Sequence, residues 1–435
     1  MTSGHTITVK PARRIGGAVR VPGDKSISHR ALILAALAEG RSEILNLAPG
    51  DDCRATLDCL RRLGVSSSFT SAPDDANVNV WHVDGVGLSG LRRTADGLDA
   101  QNSGTTARLM MGVLAASRFI TMLSGDRSLQ RRPMRRVVEP LSLMGAQIDL
   151  SDGRLPATIT GSLLRGIDYV MPVPSAQVKS AILLGGLSAS GVTTVREAIA
   201  TRDHTERALG TFGVVIDLGP GTVRVTGGQR LSAAKIAVPG DPSSAAFWAV
   251  AAAALPGSSI HIRDVGLNPT RIGFLRVLQR FGAIVSAVAS PEVDAEPRGS
   301  LRVSHRALGD VVVEPSEVPG LIDELPALAA LATHGGRLTV TGAAELRVKE
   351  SDRISALARG LSLMGANVEE APDGFHIDGA SRLRGGVVDA VGDHRLAMAF
   401  AIAALGATGP TTITGADSVS VSYPGFFDVL ERVCL

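Results

Sequence analysis

The sequence predicts an α/β protein of two domains, built from six repeated units with three per domain. Three observations lead there. Val21-Pro22-Gly23-Asp24-Lys25-Ser26 returns nearly letter for letter as Val238-Pro239-Gly240-Asp241-Pro242-Ser243. Polar loops lead repeatedly into wholly apolar helices. A short marker also recurs: Leu63-Gly64-Val65, Met144-Gly145-Ala146, Phe212-Gly213-Val214, Phe281-Gly282-Ala283 and Met364-Gly365-Ala366. Its period of roughly 70 to 80 residues is too long for a solenoid, so each copy reads as a small α/β unit. A sixth marker falls due where the chain reads Val433-Cys434-Leu435.

A chain of 435 residues exceeds what one core normally organises. The Val-Pro-Gly-Asp repeat sets the expected boundaries: 21–238 as the first domain, and 1–20 with 239–435 as the second. Residues 6–21 alternate like one strand. An apolar helix follows over 27–37, then a strand over 42–47. Residues 51–63 form an amphipathic helix with Leu57, Leu60 and Leu63 on one face. Residues 77–83 alternate as a strand. The polar stretches 66–77 and 291–300 read as surface loops. Further apolar helices are expected over 109–116, 181–187, 245–255, 327–332 and 397–405. Being apolar all round, they are expected to be buried.

Composition narrows the function classes. Hydrophobic content of 45% with 20% charged residues fits a globular protein, and a net charge of +2 gives no general pull toward nucleic acid or membrane. Aromatics at 3% are too few for base stacking. No apolar run has the length of a membrane span. Cys53, Cys59 and Cys434 form no Cys-x-x-Cys pair. Their odd number, with no apolar signal core at the N-terminus, gives the expectation of free thiols in the cytoplasm. No His, Cys and carboxylate cluster has metal-ligand spacing, and no Gly-x-Gly-x-x-Gly follows a strand, so neither a metal nor a dinucleotide cofactor is expected.

A helix start leaves free N–H groups and a partial positive charge. Lys25, Ser26 and Arg30 lie on the first turn and a half of the 27–37 helix, with Asp24 or Ser26 able to cap it. Dipole, ammonium, hydroxyl and guanidinium then converge where a phosphate or carboxylate can bind. Asn102-Ser103-Gly104-Thr105-Thr106, Pro174-Ser175-Ala176-Gln177, Asp323-Glu324-Leu325-Pro326 and Gly392-Asp393-His394-Arg395 precede similar helices. Six such ends, three per domain, are expected to face one cleft. Arg108, Arg131, Arg132, Lys179, Arg202 and the dense run 345–353 add charge in loops. Such runs are usually solvated faces. Arg131, Lys179 and Arg347 singly fit a structural role.

These pieces together closely resemble the 5-enolpyruvylshikimate-3-phosphate synthase family. The resemblance rests on Gly23-Asp24-Lys25-Ser26-Ile27-Ser28-His29-Arg30, Asn102-Ser103-Gly104-Thr105-Thr106-Ala107-Arg108, Arg132-Pro133-Met134, Ser175-Ala176-Gln177-Val178-Lys179, Arg347-Val348-Lys349-Glu350-Ser351-Asp352-Arg353 and Asp393-His394-Arg395. It implies a two-domain inside-out α/β barrel. It also implies a monomer whose partners are two small substrates, phosphoenolpyruvate and shikimate 3-phosphate, with no cofactor.

By the same resemblance, Asp323 is the base for the 5-hydroxyl, Glu350 the acid at the methylene carbon, and Lys25 a contact to phosphoenolpyruvate that shares proton transfer. Arg132, Arg353 and Arg395 hold phosphoenolpyruvate, with Gln177 and Gly104 nearby. Ser26, Arg30, Ser175, Gln177, Arg202, Asp323 and Lys349 hold shikimate 3-phosphate. Asn102, Ala176 and His394 complete the binding set. A capping role for Asp323 ahead of Leu325-Pro326 is compatible with its role as base. Gly104, lacking a side chain, is expected to leave open space for glyphosate, the family's inhibitor. Two departures stand out: Ala176 where some members have a second serine, and Val421 where many have a lysine. The enolpyruvyl transferases that act on UDP-N-acetylglucosamine share the fold, but they carry Lys-Asn at Lys25-Ser26 and a cysteine in the loop near Arg132. Neither feature is present here. A non-catalytic sugar-phosphate module would not need Asp323 and Glu350 among anionic ligands.

Overall fold

The computed structural model describes residues 5–71, 78–291, 295–379 and 382–435. The chain divides into two compact units, Gly23–Val238 and the paired segments Met1–Pro22 with Pro239–Leu435. It passes between them twice, both times within a Val-Pro-Gly-Asp repeat.

Six helices have no exposed stripe. Lys25–Leu37, Gly104–Leu114 and Ala176–Gly186 belong to the first unit; Pro242–Ala254, Leu325–Ala332 and His394–Ala404 belong to the second. Their sequences are apolar around the whole circumference, so only burial on all sides removes them from water. In Pro242–Ala254 all thirteen residues are buried. Each helix begins before the apolar run that announces it. The first turn can be polar because its N–H groups have no intrahelical acceptor and seek side chains instead. Asp24 accepts from Ile27 N, Ser103 from Thr106 N, Ser175 from Val178 N, Asp241 from Ser243 N and Asp393 from Arg395 N. A cap of this kind contributes about 1 kcal/mol. At Leu325–Ala332 the cap position is Glu324, without a side-chain cap bond, so Asp323 is not the cap residue.

Each buried helix lies beside a sheet of one topology. Leu98–Asp99 runs parallel to Ile120–Ser124, which pairs antiparallel with Arg154–Thr160, which pairs antiparallel with Gln147–Ser151. The order repeats in Asp168–Val170, Val192–Arg196, Thr222–Thr226 and Ile216–Gly219. It repeats again in Val311–Val313, Arg337–Val340, Gly374–Asp378 and Asn367–Ala371. In these three, the buried helix connects the two parallel strands, which requires a crossover. The remaining sheets borrow strands across the repeat boundary. Lys235–Ala237 runs parallel to Glu39–Leu45, and Gly16–Arg20 runs parallel to Ser259–Gly266. Ile7–Val9 supplies the antiparallel partner of Thr411–Thr414. Within each unit, helices fill the inside and half-buried strands surround them.

Six amphipathic helices complete the repeats: Asp51–Arg62, Arg135–Leu143, His204–Thr211, Gly273–Phe281, Arg353–Leu363 and Phe426–Val433. The Gly markers are the stops of the first five. Gly64, Gly145, Gly213, Gly282 and Gly365 all have φ between 82° and 105°, a left-handed conformation that terminates a helix without Cβ strain. The large residue ahead of each glycine is fully buried. The last helix ends on Cys434 in extended conformation instead, where Leu435 N donates to Arg14 O at 2.9 Å. The terminal strand contact replaces the missing marker.

Three sequence expectations are corrected. Residues 6–21 form two strands in different sheets, with a break ahead of Gly16 and Gly17. Ser66–Ser71 is a strand, antiparallel to Asn79–Val86, and not a loop. Its serines gave no alternation because it is an exposed edge with no apolar face. Arg298–Ser304 is likewise a strand and takes up the last three residues of the expected loop 291–300, while 291 and 295–297 are outside helix and strand as expected. Residues 72–77 and 292–294, with Asn77 as an expected strand start, lie outside the described residues.

One polar chain ties the helices of the first unit together. His29 is fully buried, and its Nδ1 lies 2.7 Å from Thr56 Oγ1. Thr56 bonds Thr106 Oγ1 at 2.7 Å, and Thr106 donates to Ser103 Oγ at 2.7 Å. Burial, then the charges of Lys25 and Arg30, hold the His29 pKa well below the ordinary 6.5. Below about pH 6.5 the unfolded chain gains a proton that native His29 refuses, so this contribution to stability falls as pH falls. One such proton contributes a slope of at most about 1.4 kcal/mol per pH unit. We expect urea unfolding at pH 7.5 and 5.5 to show a larger loss of stability in the wild type than in His29→Gln. Equal losses would assign the pH dependence to other groups.

Candidate active site

In the unit Gly23–Val238, helix starts carry the predicted ligands. Lys25 Nζ lies 2.7 Å from Asp52 Oδ2, and both side chains are largely buried. Asp52 stands in the first turn of Asp51–Arg62, where a carboxylate is favoured by the helix dipole. Arg30 reaches back to its own helix start, donating from Nη1 to Ser26 O at 2.8 Å. Its Nε donates to Thr205 Oγ1 and its Nη2 to Ser180 Oγ, each at 2.7 Å. The guanidinium is therefore held from three sides beside Ser26.

A second patch forms around Gly104. Arg132 Nη2 donates to Asn102 Oδ1 at 2.8 Å, and Asn102 Nδ2 donates to Asp126 Oδ2 at 2.7 Å. Gln177 accepts from Arg108 Nη1 at 2.7 Å and donates to Thr105 Oγ1 at 2.9 Å. Asn102, Gly104, Arg132 and Gln177 are thus brought together, with Arg108 at the centre. Ser175 caps the neighbouring helix, Ala176 begins it, and Gln177 follows. Arg202 lies in the loop between Val192–Arg196 and His204–Thr211. The space at Gly104 is not open. A Cβ there would stand 2.8 Å from Arg108 Nη1 and 3.2 Å from Arg132 Nη1. Two guanidinium ends lie over the helix start, and a side chain at 104 would have to displace them.

The other unit gathers the remaining residues around Arg353, whose side chain is only 1% exposed. Its Nε donates to Asp393 Oδ2 at 2.7 Å and its Nη2 to Glu350 Oε2 at 2.6 Å. Nη1 makes a longer contact with Asp323 Oδ1, 3.4 Å. Burial opposes the charge of Arg353, but Asp393, Glu350 and Asp323 more than offset it and raise the pKa above the ordinary value. Asp323 also faces Lys349 Nζ and Arg395 Nε, each at 3.8 Å. Arg395 Nη1 donates to Asp323 O at 2.9 Å. His394 is the buried first residue of its helix, next to the cap Asp393. Val421 ends a short 3-10 turn ahead of Ser422.

Sequence reasoning passed over four participants. Asp52 was masked by its place on an amphipathic helix, although first-turn acidity was a usable signal. Arg108 was noted only as a cation after a turn. Asp393 was read with its neighbours but not as the acceptor for Arg353. Thr205 carried no signal of its own. Arg347 has a structural role: it bonds Asp352 at 2.7 Å and Glu370 at 2.8 Å. Among the described residues no group of three or more His, Cys, Asp and Glu could hold a metal ion, and no helix is long and apolar enough to cross a membrane.

The arrangement concentrates donors and cations at helix starts, with three carboxylates on one guanidinium. Such a constellation can bind multiply anionic molecules and move protons beside them. Comparison with known proteins agrees. The family model for EPSP synthase (3-phosphoshikimate 1-carboxyvinyltransferase) matches residues 9–430. A 3-phosphoshikimate 1-carboxyvinyltransferase of Pelotomaculum thermopropionicum is 50% identical, covering 98% of both chains. One from Gloeobacter violaceus is 49% identical, covering 99% of both. The solved EPSP synthase of Acinetobacter baumannii superposes with a TM-score of 0.86 at 40% identity, covering 99% of this chain and 98% of that one. The enolpyruvyl transferase NikO of Streptomyces tendae shares the fold, with a TM-score of 0.76 at 19% identity, over 99% of this chain and 98% of its own. The chain, a two-domain inside-out α/β barrel, belongs to the EPSP synthase family.

Proposed function

We propose that Lys25, Asp323 and Glu350 carry the reaction of this family. In it, the enolpyruvyl group of phosphoenolpyruvate passes to the 5-hydroxyl of shikimate 3-phosphate and phosphate leaves. This is the shikimate-pathway step toward aromatic amino acids. In the addition, Asp323 takes the hydroxyl proton and Glu350 gives a proton to the methylene carbon. In the elimination, Glu350 takes a proton back from the methyl group as the C–O bond to phosphate breaks, and the departing phosphate carries off the proton that Asp323 took. The observation that carries the reading is that Asp323 and Glu350 share Arg353, with Lys349 and Arg395 beside Asp323. A base and an acid held on one guanidinium keep a fixed separation while protons move.

Both substrates carry a phosphate and a carboxylate, which explains the excess of paired cations. Arg132, Arg353 and Arg395, with Gln177, Asn102, Gly104 and His394, are proposed for phosphoenolpyruvate. Ser26, Arg30, Ser175, Ala176, Gln177, Arg202 and Lys349 are proposed for shikimate 3-phosphate. Ala176 contributes a helix-start N–H where some relatives offer a hydroxyl. The proposal also takes the enzyme as a cytoplasmic monomer, in keeping with Cys53, Cys59 and Cys434, which form no disulfide with one another.

Phosphate release from phosphoenolpyruvate is expected to require shikimate 3-phosphate and to stay at background with UDP-N-acetylglucosamine. Glu350→Gln and Asp323→Asn are each expected to lower turnover by roughly 100-fold or more, as loss of a general acid or base does. Calorimetry should show shikimate 3-phosphate binding retained in Glu350→Gln and weakened in Asp323→Asn. Near-normal turnover in both variants would remove the assigned roles.

Glyphosate carries a carboxylate and a phosphonate, so it is expected to compete with phosphoenolpyruvate for the same arginines. Gly104→Ala places a methyl against the ends of Arg108 and Arg132, which must move. The longer inhibitor tolerates that movement less than the substrate does. The glyphosate inhibition constant should rise by about tenfold to a hundredfold, and the Michaelis constant for phosphoenolpyruvate by less. Equal increases in the two constants would contradict this steric account.

A further inference from the structure

Behind the helix start Ser175-Ala176-Gln177 lies a buried ion cluster to which the proposed chemistry gives no task. Lys179 is 1% exposed. Its Nζ lies 2.8 Å from Glu197 Oε2 and 2.6 Å from Glu206 Oε1, and both carboxylate side chains are buried as well. Glu197 Oε1 accepts from Thr201 Oγ1. Glu206 Oε2 has no hydrogen-bond partner among the described residues. Two buried carboxylates thus share one ammonium. Buried ion clusters contribute little to stability compared with apolar groups of similar volume. A fold that needed only packing here would be served as well by three apolar side chains.

What the cluster does supply is direction. Three segments meet at Lys179 Nζ. The first is the start of helix Ala176–Gly186, since Lys179 N donates to Ser175 O at 3.1 Å. The second is the loop after strand Val192–Arg196, gripped at Glu197 and Thr201, with residues 198–200 exposed and Arg202 next in the chain. The third is helix His204–Thr211, through Glu206. The adjacent Ser180 adds a second tie. It lies 2.7 Å from Arg30 Nη2 and 2.6 Å from Thr205 Oγ1, and donates to Ala176 O at 2.6 Å. Lys179 and Ser180 therefore fasten the segments that carry Arg30, Ser175, Ala176, Gln177 and Arg202. An exposed loop with a long arginine at its end would otherwise lose rotamer and backbone freedom when substrate binds, and that loss weakens binding.

We infer that Lys179 is a positioning residue for the phosphorylated hydroxy substrate, acting through Glu197 and Glu206 to set the Arg202 loop against the Ser175–Gln177 helix start. The inference rests on the proposed assignment of Ser175, Gln177 and Arg202 to shikimate 3-phosphate. None of these segments carries the carboxylates assigned to proton transfer. Of the tied groups only Gln177 is also assigned to phosphoenolpyruvate, and Arg108 and Thr105 hold it independently of Lys179, so loss of the tie acts chiefly on shikimate 3-phosphate.

Steady-state kinetics on the full chain test this, with both Michaelis constants measured for the wild type, Lys179→Met, Thr201→Val and Arg202→Ala. Lys179→Met removes the ammonium at similar length. Thr201→Val removes only the hydroxyl that grips Glu197, and keeps the fold if Lys179→Met does not. Loss of a hydrogen bond to a charged group corresponds to about tenfold in affinity. The Michaelis constant for shikimate 3-phosphate should rise by that order in Lys179→Met and Thr201→Val, while that for phosphoenolpyruvate stays within about twofold. A lowered active fraction with both constants unchanged, or both raised equally, would reduce Lys179 to packing and overturn the inference. Arg202→Ala separates the two levels. If it leaves the shikimate 3-phosphate constant unchanged, the substrate assignment itself fails and this inference falls with it. If it raises that constant and Thr201→Val does not, only the positioning role is lost.

Discussion

The free N–H groups at the starts of six buried helices are the constraint from which the rest of the molecule follows. A helix buried on every side cannot offer its first turn to water unless that turn reaches a surface. Side chains of Asp24, Ser103, Ser175, Asp241 and Asp393 satisfy part of each start, and what remains is a field favouring anions. The same loops that terminate the parallel strands are therefore where binding groups accumulate. Capping and the dipole act on one set of atoms, and the repeat supplies a side-chain cap at five of the six starts.

The cations near these starts are held by partners. Lys25 rests on Asp52, Arg132 on Asn102, Arg108 on Gln177, and Arg353 on three carboxylates. Fixed pairs of this kind lower the reorganisation needed when an anion binds, because the donors already point in their working directions. The two units differ in style. In Gly23–Val238, Arg30, Arg108 and Arg132 bond hydroxyl, amide and backbone oxygens near the helix starts. In the other unit carboxylates hold Arg353.

Much of this was legible in the sequence. The buried helices declared themselves by having no polar stripe. The Gly markers, met first as a bare period, turned out to be left-handed stops after buried Leu, Met or Phe. The helix starts were read late because polar first turns look like loop when only apolar runs are counted. Ser66–Ser71 was illegible for a different reason: an edge strand of serines has no buried face to impose a period of two. The candidate site residues stand in motifs, but partners such as Asp52 and Thr205 do not. Asp52 lies far from Lys25 in sequence, as Thr205 does from Arg30, and only the fold brings each pair into contact. Gly104 shows the same gap: its lack of a side chain was visible, but the two arginines that occupy the space were not.

The borrowed strands carry a consequence for the order in which the chain is made. Ile7–Val9 and Gly16–Arg20 leave the ribosome before Gly23–Val238, yet their partners are Thr411–Thr414 and Ser259–Gly266. Between them comes the whole of Gly23–Val238, which has its own core and can close while the rest is still being translated. The amino-terminal arm has to wait through that interval with unpaired edges. Its Lys10, Pro11, Arg13 and Arg14 are the residue types that keep a waiting edge from recruiting another chain. The nascent protein thus finishes its later-made unit around a segment released before the earlier one.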